Sequence, residues 1–487
     1  MKRRVLFVVI FVCLFSVISV RVASADDSAI KDQIDQMQKQ IDSLKVQLNK
    51  QQAAPAPAMK TEVAKEKEKP EGFSYKDPLS LRVLGTEVSV YGLADVSLDY
   101  ADNGLNGHPR ATGNNGWLPQ ISSNLSYLGV RGSHSLFHGD LTAVFQIETE
   151  AAYSYTPGPN VQTGDPAENN ALGARNSYIG LVGSWGAIKI GKTDAPYKTS
   201  TARMDPFDRT LGDYNSIMGN SAGDNRAEFD TRLAHSLWYE SPNVSGFNLG
   251  LLWSPGQNRG VDNDLAARLE PNCTGGNPQP CNDGSFGDAF STSLTYTTGP
   301  LYLVAAYELH KGVNRLGDEG DGVVTGVNDE WAFKVGGQYT FAQTGTTVNA
   351  IYEKLQRDHA PSAYDERTHD AFWFALTQDL TKSLALNLAW AHAGKSPGSA
   401  GWKTGDGTGM VGPVNNAANM YNIGLKYRMD KATFLYLTAT EVINDEGAHY
   451  DLGASGHGAK VDCKDEANKC FTGTHIQALT LGMDYRF

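Results

Sequence analysis

The chain has 487 residues, 20% of them charged and 10% aromatic, with 51 glycines. No run after residue 25 approaches the roughly eighteen apolar residues a membrane-crossing helix needs; this excludes a helical membrane protein and says nothing against a barrel, whose strands carry weak individual signals. Without the export signal described next, 38 Lys and Arg stand against 54 Asp and Glu, an acidic balance that argues against nucleic acid as a partner.

Residues 1–25 read as a secretory signal: Lys2, Arg3 and Arg4, an apolar run from Val5 to Val20, then the small-residue cleavage site Val22-Ala23-Ser24-Ala25. Residues 26–52 have a different texture. Ile30, Ile34, Met37, Ile41, Leu44 and Leu48 recur at intervals of 4, 3, 4, 3 and 4, which is an a/d heptad seam. So short a helix is marginal alone, so the seam predicts self-association, compatible with three strands. An amphipathic helix resting on the rest of the protein is the alternative. Residues 53–86 form a Pro/Ala-rich and charged linker, including the run Lys60 to Glu71.

From residue 87 to 487 the pattern is short alternating strands between polar connections. Residues 88–100 put Val88, Val90, Ala94, Val96, Leu98 and Tyr100 on one side. Strands at 122–135 and 141–153 flank a tight turn, and hairpins recur at 176–183 with 187–193, 232–241 with 247–254, 289–297 with 301–310, 331–341 with 346–356, 370–379 with 383–393, and 421–429 with 433–442. Residues 474–487 close the series, with Leu479, Leu481, Met483, Tyr485 and Phe487 on one face and Thr480, Asp484 and Arg486 on the other. That makes sixteen strands in which short turns alternate with long loops. An outer-membrane barrel has that rhythm, and an even count leaves no free edge in lipid. The fold class is therefore all-β: a 16-stranded antiparallel transmembrane β-barrel behind a short helical coiled coil.

After signal removal four cysteines remain, Cys273 with Cys281 and Cys463 with Cys470, each pair inside one long polar connection. In an exported protein they read as local disulfides worth on the order of 2–3 kcal/mol each. Zinc is the weaker alternative, since no His lies at ligand spacing, and no metal or cofactor is expected. The third long connection, between Thr193 and Thr231, is richer in apolar residues than the others (Tyr197, Met204, Phe207, Leu211, Tyr214, Ile217, Met218). It should pack against something. Folded into the lumen it would narrow the channel and leave Asp205, Asp208, Arg209 and Asp213 near the opening; an external flap with solvated charges is the alternative.

The segments VYGLADVSLDY, SYLGVRGS followed by GDLTAVFQIE, RNSYIGLVGSWGAIKIGK, APYKTSTARMDPF, RLAHSLWYESPNVSGF and the terminal Phe487 resemble the Gram-negative general porins, particularly their beta-proteobacterial branch. The resemblance implies homotrimers, a third loop folded inward as a constriction, and basic wall residues facing acidic loop residues. It points to Arg131, Arg175 and Arg232 as the wall cations. Strand parity supports Arg131, opposite Leu128 and Val130, and Arg232, on one face with Ser236 and Glu240; on the lipid side each would cost roughly 2–4 kcal/mol. Three positions depart from the family pattern: Tyr127 stands where a basic residue is usual, His134-Ser135 replaces an acidic pair, and Thr142 replaces a Lys.

Four functions compete: a passive diffusion channel, a substrate-selective channel, a barrel enzyme and an outer-membrane tether. No nucleophile motif accompanies the scattered histidines, which argues against an enzyme. Expected partners are other copies of the chain, outer-membrane lipid and lipopolysaccharide, and the cell-wall peptidoglycan near a periplasmic N-terminal stalk. The acidic barrel, with 30 basic against 45 acidic residues, leans slightly towards cations.

Overall fold

In the computed structural model, the described residues are 72–74 and 79–487, apart from 107–110, 112–114, 152, 155–171, 220–228, 256–285, 315–326, 360–364, 366, 399–414 and 453–470. Two units divide the chain, residues 1–69 and 70–487. The signal segment, the heptad seam and the four paired cysteines lie outside the described residues.

Apolar side chains alternate with polar or small ones along every long strand, so the chain forms one antiparallel sheet: β1 (Gly72–Ser74), β2 (Leu79–Val83), β3 (Thr86–Asp102), β4 (Trp117–Ser123), β5 (Tyr127–Leu136), β6 (Leu141–Glu150), β7 (Ser177–Gly183), β8 (Gly186–Asp194), β9 (Arg232–Glu240), β10 (Phe247–Ser254), β11 (Ala289–Thr298), β12 (Leu301–Asn314), β13 (Val327–Phe341), β14 (Thr346–Arg357), β15 (His369–Asp379), β16 (Leu384–Ala393), β17 (Ala418–Arg428), β18 (Thr433–Asn444) and β19 (His475–Arg486). Each strand from β5 to β18 pairs with the next, and β19 pairs back onto β3 with Leu481 opposite Leu98. The sheet is a closed barrel. Phe487 completes the seam: its amide donates to the Gly92 carbonyl (3.1 Å) and its carbonyl accepts from the Gly92 amide (2.9 Å).

Lipid-side and lumen-side residues separate as the alternation requires. Leu98, Ile121, Ile179, Ile190, Trp253, Phe290, Phe374 and Leu481 lie exposed on the outer surface, while Asp99, Thr480 and Asp484 face inward and are buried. In lipid this outer band is solvated by hydrocarbon, so its exposure carries no penalty.

Two details depart from the sequence expectation. The strand expected over 122–135 is broken into β4 and β5, both paired with β3, because Leu125 takes a left-handed conformation (φ 54°). The break turns Asn124 and Ser126 towards Asp95: the Asn124 Nδ2 donates to Asp95 Oδ1 (3.1 Å) and the Ser126 hydroxyl to the Asp95 carbonyl (2.8 Å). Further, the stretch 53–86 is not wholly linker. β2 folds back on β3 through Leu84 and Gly85, both at positive φ, and β1 adds to β2. The Leu84-Gly85 pair is what a tight two-residue hairpin turn needs.

Candidate functional site

The connection between β8 and β9 lies inside the barrel. It begins with a short helix, α1 (Pro196–Thr201), and continues through two 3-10 turns, Ala202–Met204 and Tyr214–Ser216. Tyr197, Met204, Phe207, Leu211, Ile217 and Met218 are all at most 1% exposed. Each such side chain gains about 1.5–3 kcal/mol from burial, which an external flap would forgo. The wall beneath is cut to fit. Ala306, Ala332, Ala371, Ala375, Ala391 and Ala418 are among the buried inward residues of β12, β13, β15, β16 and β17, and at Gly424 even a Cβ would sit 2.9 Å from the Phe207 ring.

Polar contacts fix the loop along its length. The Tyr302 hydroxyl donates to the Ser200 carbonyl (2.6 Å), the Trp373 indole to the Met204 carbonyl (3.2 Å), and Asn422 to the Gly212 carbonyl (2.8 Å). The returning limb is held by ions. Lys334 bonds Asp230 (2.6 Å), and Glu353 accepts from the Gly219 amide (2.7 Å) and from the Tyr197 hydroxyl. His310, bonded to Glu308 (2.9 Å), is stacked between Phe286 and Phe229. Burial holds Asp230 above the usual carboxylate range in spite of Lys334, and burial together with the Glu353 charge pushes the Tyr197 phenol well up.

The loop residues expected at the opening divide into two groups. Asp205 and Asp213 are buried and shape the loop itself. Asp205 accepts from the amides of Phe207 (2.8 Å) and Tyr214 (2.9 Å), and Asp213 caps the second 3-10 turn through the Asn215 amide (2.9 Å). Burial raises both carboxyls, Asp205 strongly with the charge of Asp213 adding to it, and Asp213 to about 7. Asp208 stays exposed. Arg209, at the tip, spans to the opposite seam, bonding Asp208 (2.7 Å), Asp484 (2.9 Å) and Asp95 (3.4 Å). Burial alone would lower the Arg209 guanidinium, but the three carboxylates outweigh it and hold it above its usual range.

Tyrosine and arginine line part of the wall from β3 to β9. Tyr91 lies flat against Gly129, where a Cβ would come within 2.5 Å of the ring, and its hydroxyl donates to Glu148 (2.7 Å). Arg131 stacks over Tyr91 (4.7 Å) and Arg175 over Tyr127 (5.0 Å), so the tyrosine that replaces the family's usual cation carries one instead. Arg175 also comes to 4.0 Å from Glu148. Around Arg232 the strict alternation expected of the strand does not hold. A register shift between Gly191 and Thr193, with His235 at φ 53°, breaks the alternation in β9. Leu233 is thereby buried in the cluster that holds Trp238, and Arg232 turns to Asn176 (2.7 Å) and Asp194 (3.4 Å). Sequence reasoning missed Tyr91, and Lys189, which pairs with Glu240 (2.8 Å) over the Tyr178 ring. Inward parity and charge mark Lys189; nothing local marks Tyr91 except its place between Val90 and Gly92.

A closed barrel with a polar interior and a long loop folded into it defines a transmembrane channel protein of the outer membrane. The chain belongs to the Gram-negative porins, whose family profile matches residues 74–447. An outer membrane porin protein of Bordetella pertussis is 29% identical over 270 residues, 53% of this chain and 61% of that protein. Outer membrane porin protein 32 of Delftia acidovorans is 27% identical over 169 residues, 34% of this chain and 43% of that one. The chain thus spans about two fifths to three fifths of the length of these relatives. Among solved structures, an anion-selective porin from Comamonas acidovorans superposes with a TM-score of 0.57 at 18% identity, covering 82% of this chain and 100% of the other, which establishes the shared fold.

Proposed function

We propose that the protein is a homotrimeric porin whose water-filled lumen lets ions and small hydrophilic solutes diffuse passively across the outer membrane. One observation carries this reading: the third loop is packed and bonded inside a closed barrel, while Asp208 on the loop and Arg131 on an inward strand position stay exposed. Charge fixed on both sides of an opening filters by size and sign and performs no chemistry. The constriction is formed by Arg131, Arg175, Tyr127 and Asp208; Asp205, Asp213 and Arg209 hold the loop in place, and Arg232 stands beside Arg175 through Asn176. The purified protein in planar bilayers should give stable single-channel steps, and a tight, ion-impermeable bilayer would refute the reading.

The tyrosine–arginine stacks favour a second reading, a channel that retains certain solutes. A conductance that saturates with solute concentration would select it over free diffusion. The heptad seam at 26–52 supports a three-stranded periplasmic stalk. Deleting residues 26–71 should lower the temperature at which the trimer dissociates in detergent; an unchanged temperature removes that role.

A further inference from the structure

A second cluster of cations adjoins the tip of the third loop, where Lys426 shares a cavity with Asp208, Arg209 and Asp484. Lys426 and Arg428 face inward on β17, and Arg486 ends β19. All three approach one ring, Phe434 at the start of β18, with the Lys426 Nζ 4.6 Å, the Arg428 Cζ 5.8 Å and the Arg486 Cζ 5.7 Å from its centroid. The turn joining β17 to β18 spans only residues 429–432, and short turns of such barrels lie on the periplasmic side. The cluster therefore sits at the periplasmic mouth, below the tip of the third loop.

The charges here do not balance locally. Arg209 shares three carboxylates, and Arg486 leans on one of them, Asp484 (3.1 Å). The side chains of Lys426 and Arg428 make no hydrogen bond or ion pair with any described residue. Lys426 meets Asp95, Asp208 and Asp484 only across the cavity they share with Arg209, and Arg428 stacks on the ring. An aromatic face attracts cations and aligns their heads without using up their N–H donors. What results is a fork from Arg428 and a point charge from Lys426, both pre-positioned and both free to donate. That arrangement fits an oxyanion, since guanidinium matches a carboxylate or phosphate edge with two parallel bonds.

We propose that Lys426, Arg428 and Arg486, seated on Phe434, form a station for small oxyanions, carboxylate or phosphate, at the periplasmic mouth. The proposal rests on the channel reading above and adds a place where a solute pauses. The station takes its ligand from the periplasmic compartment and uses Lys426 and Arg428 in place of Arg131 and Arg175.

The test is single-channel recording in potassium chloride with inorganic phosphate, and in parallel succinate, added to one compartment at a time. Either anion should reduce the chloride current saturably, at lower concentration from the side of the β17–β18 turn. The K426Q/R428Q double variant should need at least about tenfold more, as loss of one charge-assisted contact implies. The K426R/R428K variant should retain the effect. An unchanged half-blocking concentration in K426Q/R428Q, or a block removed by R131Q and not by the double variant, overturns the station and leaves the channel intact. Absence of any conductance in the wild-type protein overturns the channel reading, and the station with it. A block by phosphate alone or by succinate alone assigns the station to that oxyanion.

Discussion

The two sides of the lumen are built from the same alternating strands and have opposite interiors. From β11 to β17 the inward positions include many alanines, with buried ion pairs and with Tyr302, Trp373 and Asn422 bonded to the loop, because a loop lies on them. From β3 to β9 they include tyrosine, arginine, glutamate and lysine, which stack on and bond one another. On the covered side small residues are a packing requirement, and polar groups survive only in partnered clusters such as Lys334 with Asp230. On the open side large polar residues are tolerated because nothing must pack against them.

The sharpest way to break this contrast is to remove one member of the buried pair. Lys334→Met leaves Asp230 charged and dry, which should cost about 3–5 kcal/mol. The denaturation midpoint should fall and the conductance become heterogeneous as the returning limb detaches; a midpoint equal to wild type would show that this limb is not held there. Arg209→Ala frees the loop tip from Asp95 and Asp484 and should cost about 1–3 kcal/mol, with larger current fluctuations but an intact barrel. Single-channel noise is the readout, and quiet traces would remove the clamp.

The third prediction concerns acidity. Asp213 has a folded pKa of about 7 against an ordinary value near 3.8, so the folded protein binds its proton more tightly than the unfolded chain. The stability this contributes is fully present below about pH 4 and is lost as pH rises through 7. Asp213→Asn, which can still accept from the Asn215 amide, should flatten that slope in thermal scans run from pH 4 to 8. A slope identical to wild type would assign it to other groups. The smallest effect on stability belongs to the open side: Arg131→Gln should change it by no more than about 0.5 kcal/mol. It should nevertheless move the zero-current potential in a salt gradient towards cations, and Asp208→Asn should move it the other way. If both leave the potential unchanged, the exposed pair does not set selectivity.

Much of the barrel is legible in the chain because a period of two over ten residues has no other physical reading, and the alternation of short and long connections orders the strands. The outward set Leu479 to Phe487 follows from parity alone. Parity fails where the backbone deviates. Leu125 and His235, neither of them glycine, sit at positive φ, and no residue-type signal announces it. The inward third loop is legible from its apolar content, yet the fate of its acids is not. Asp205 and Asp213 look like lumen charges in one dimension and prove to be internal caps, because the amides they satisfy belong to a loop geometry that exists only once it is packed.

The bonds between Phe487 and Gly92 have a consequence for how the protein is made. Their partners are 395 positions apart, one directly after β19 and one in β3. Until β19 meets β3 the sheet is an open ribbon with two unsatisfied margins, and a product lacking β19 cannot be sealed. Closure of the wall therefore waits on two strands that stand at opposite ends of the barrel's sequence.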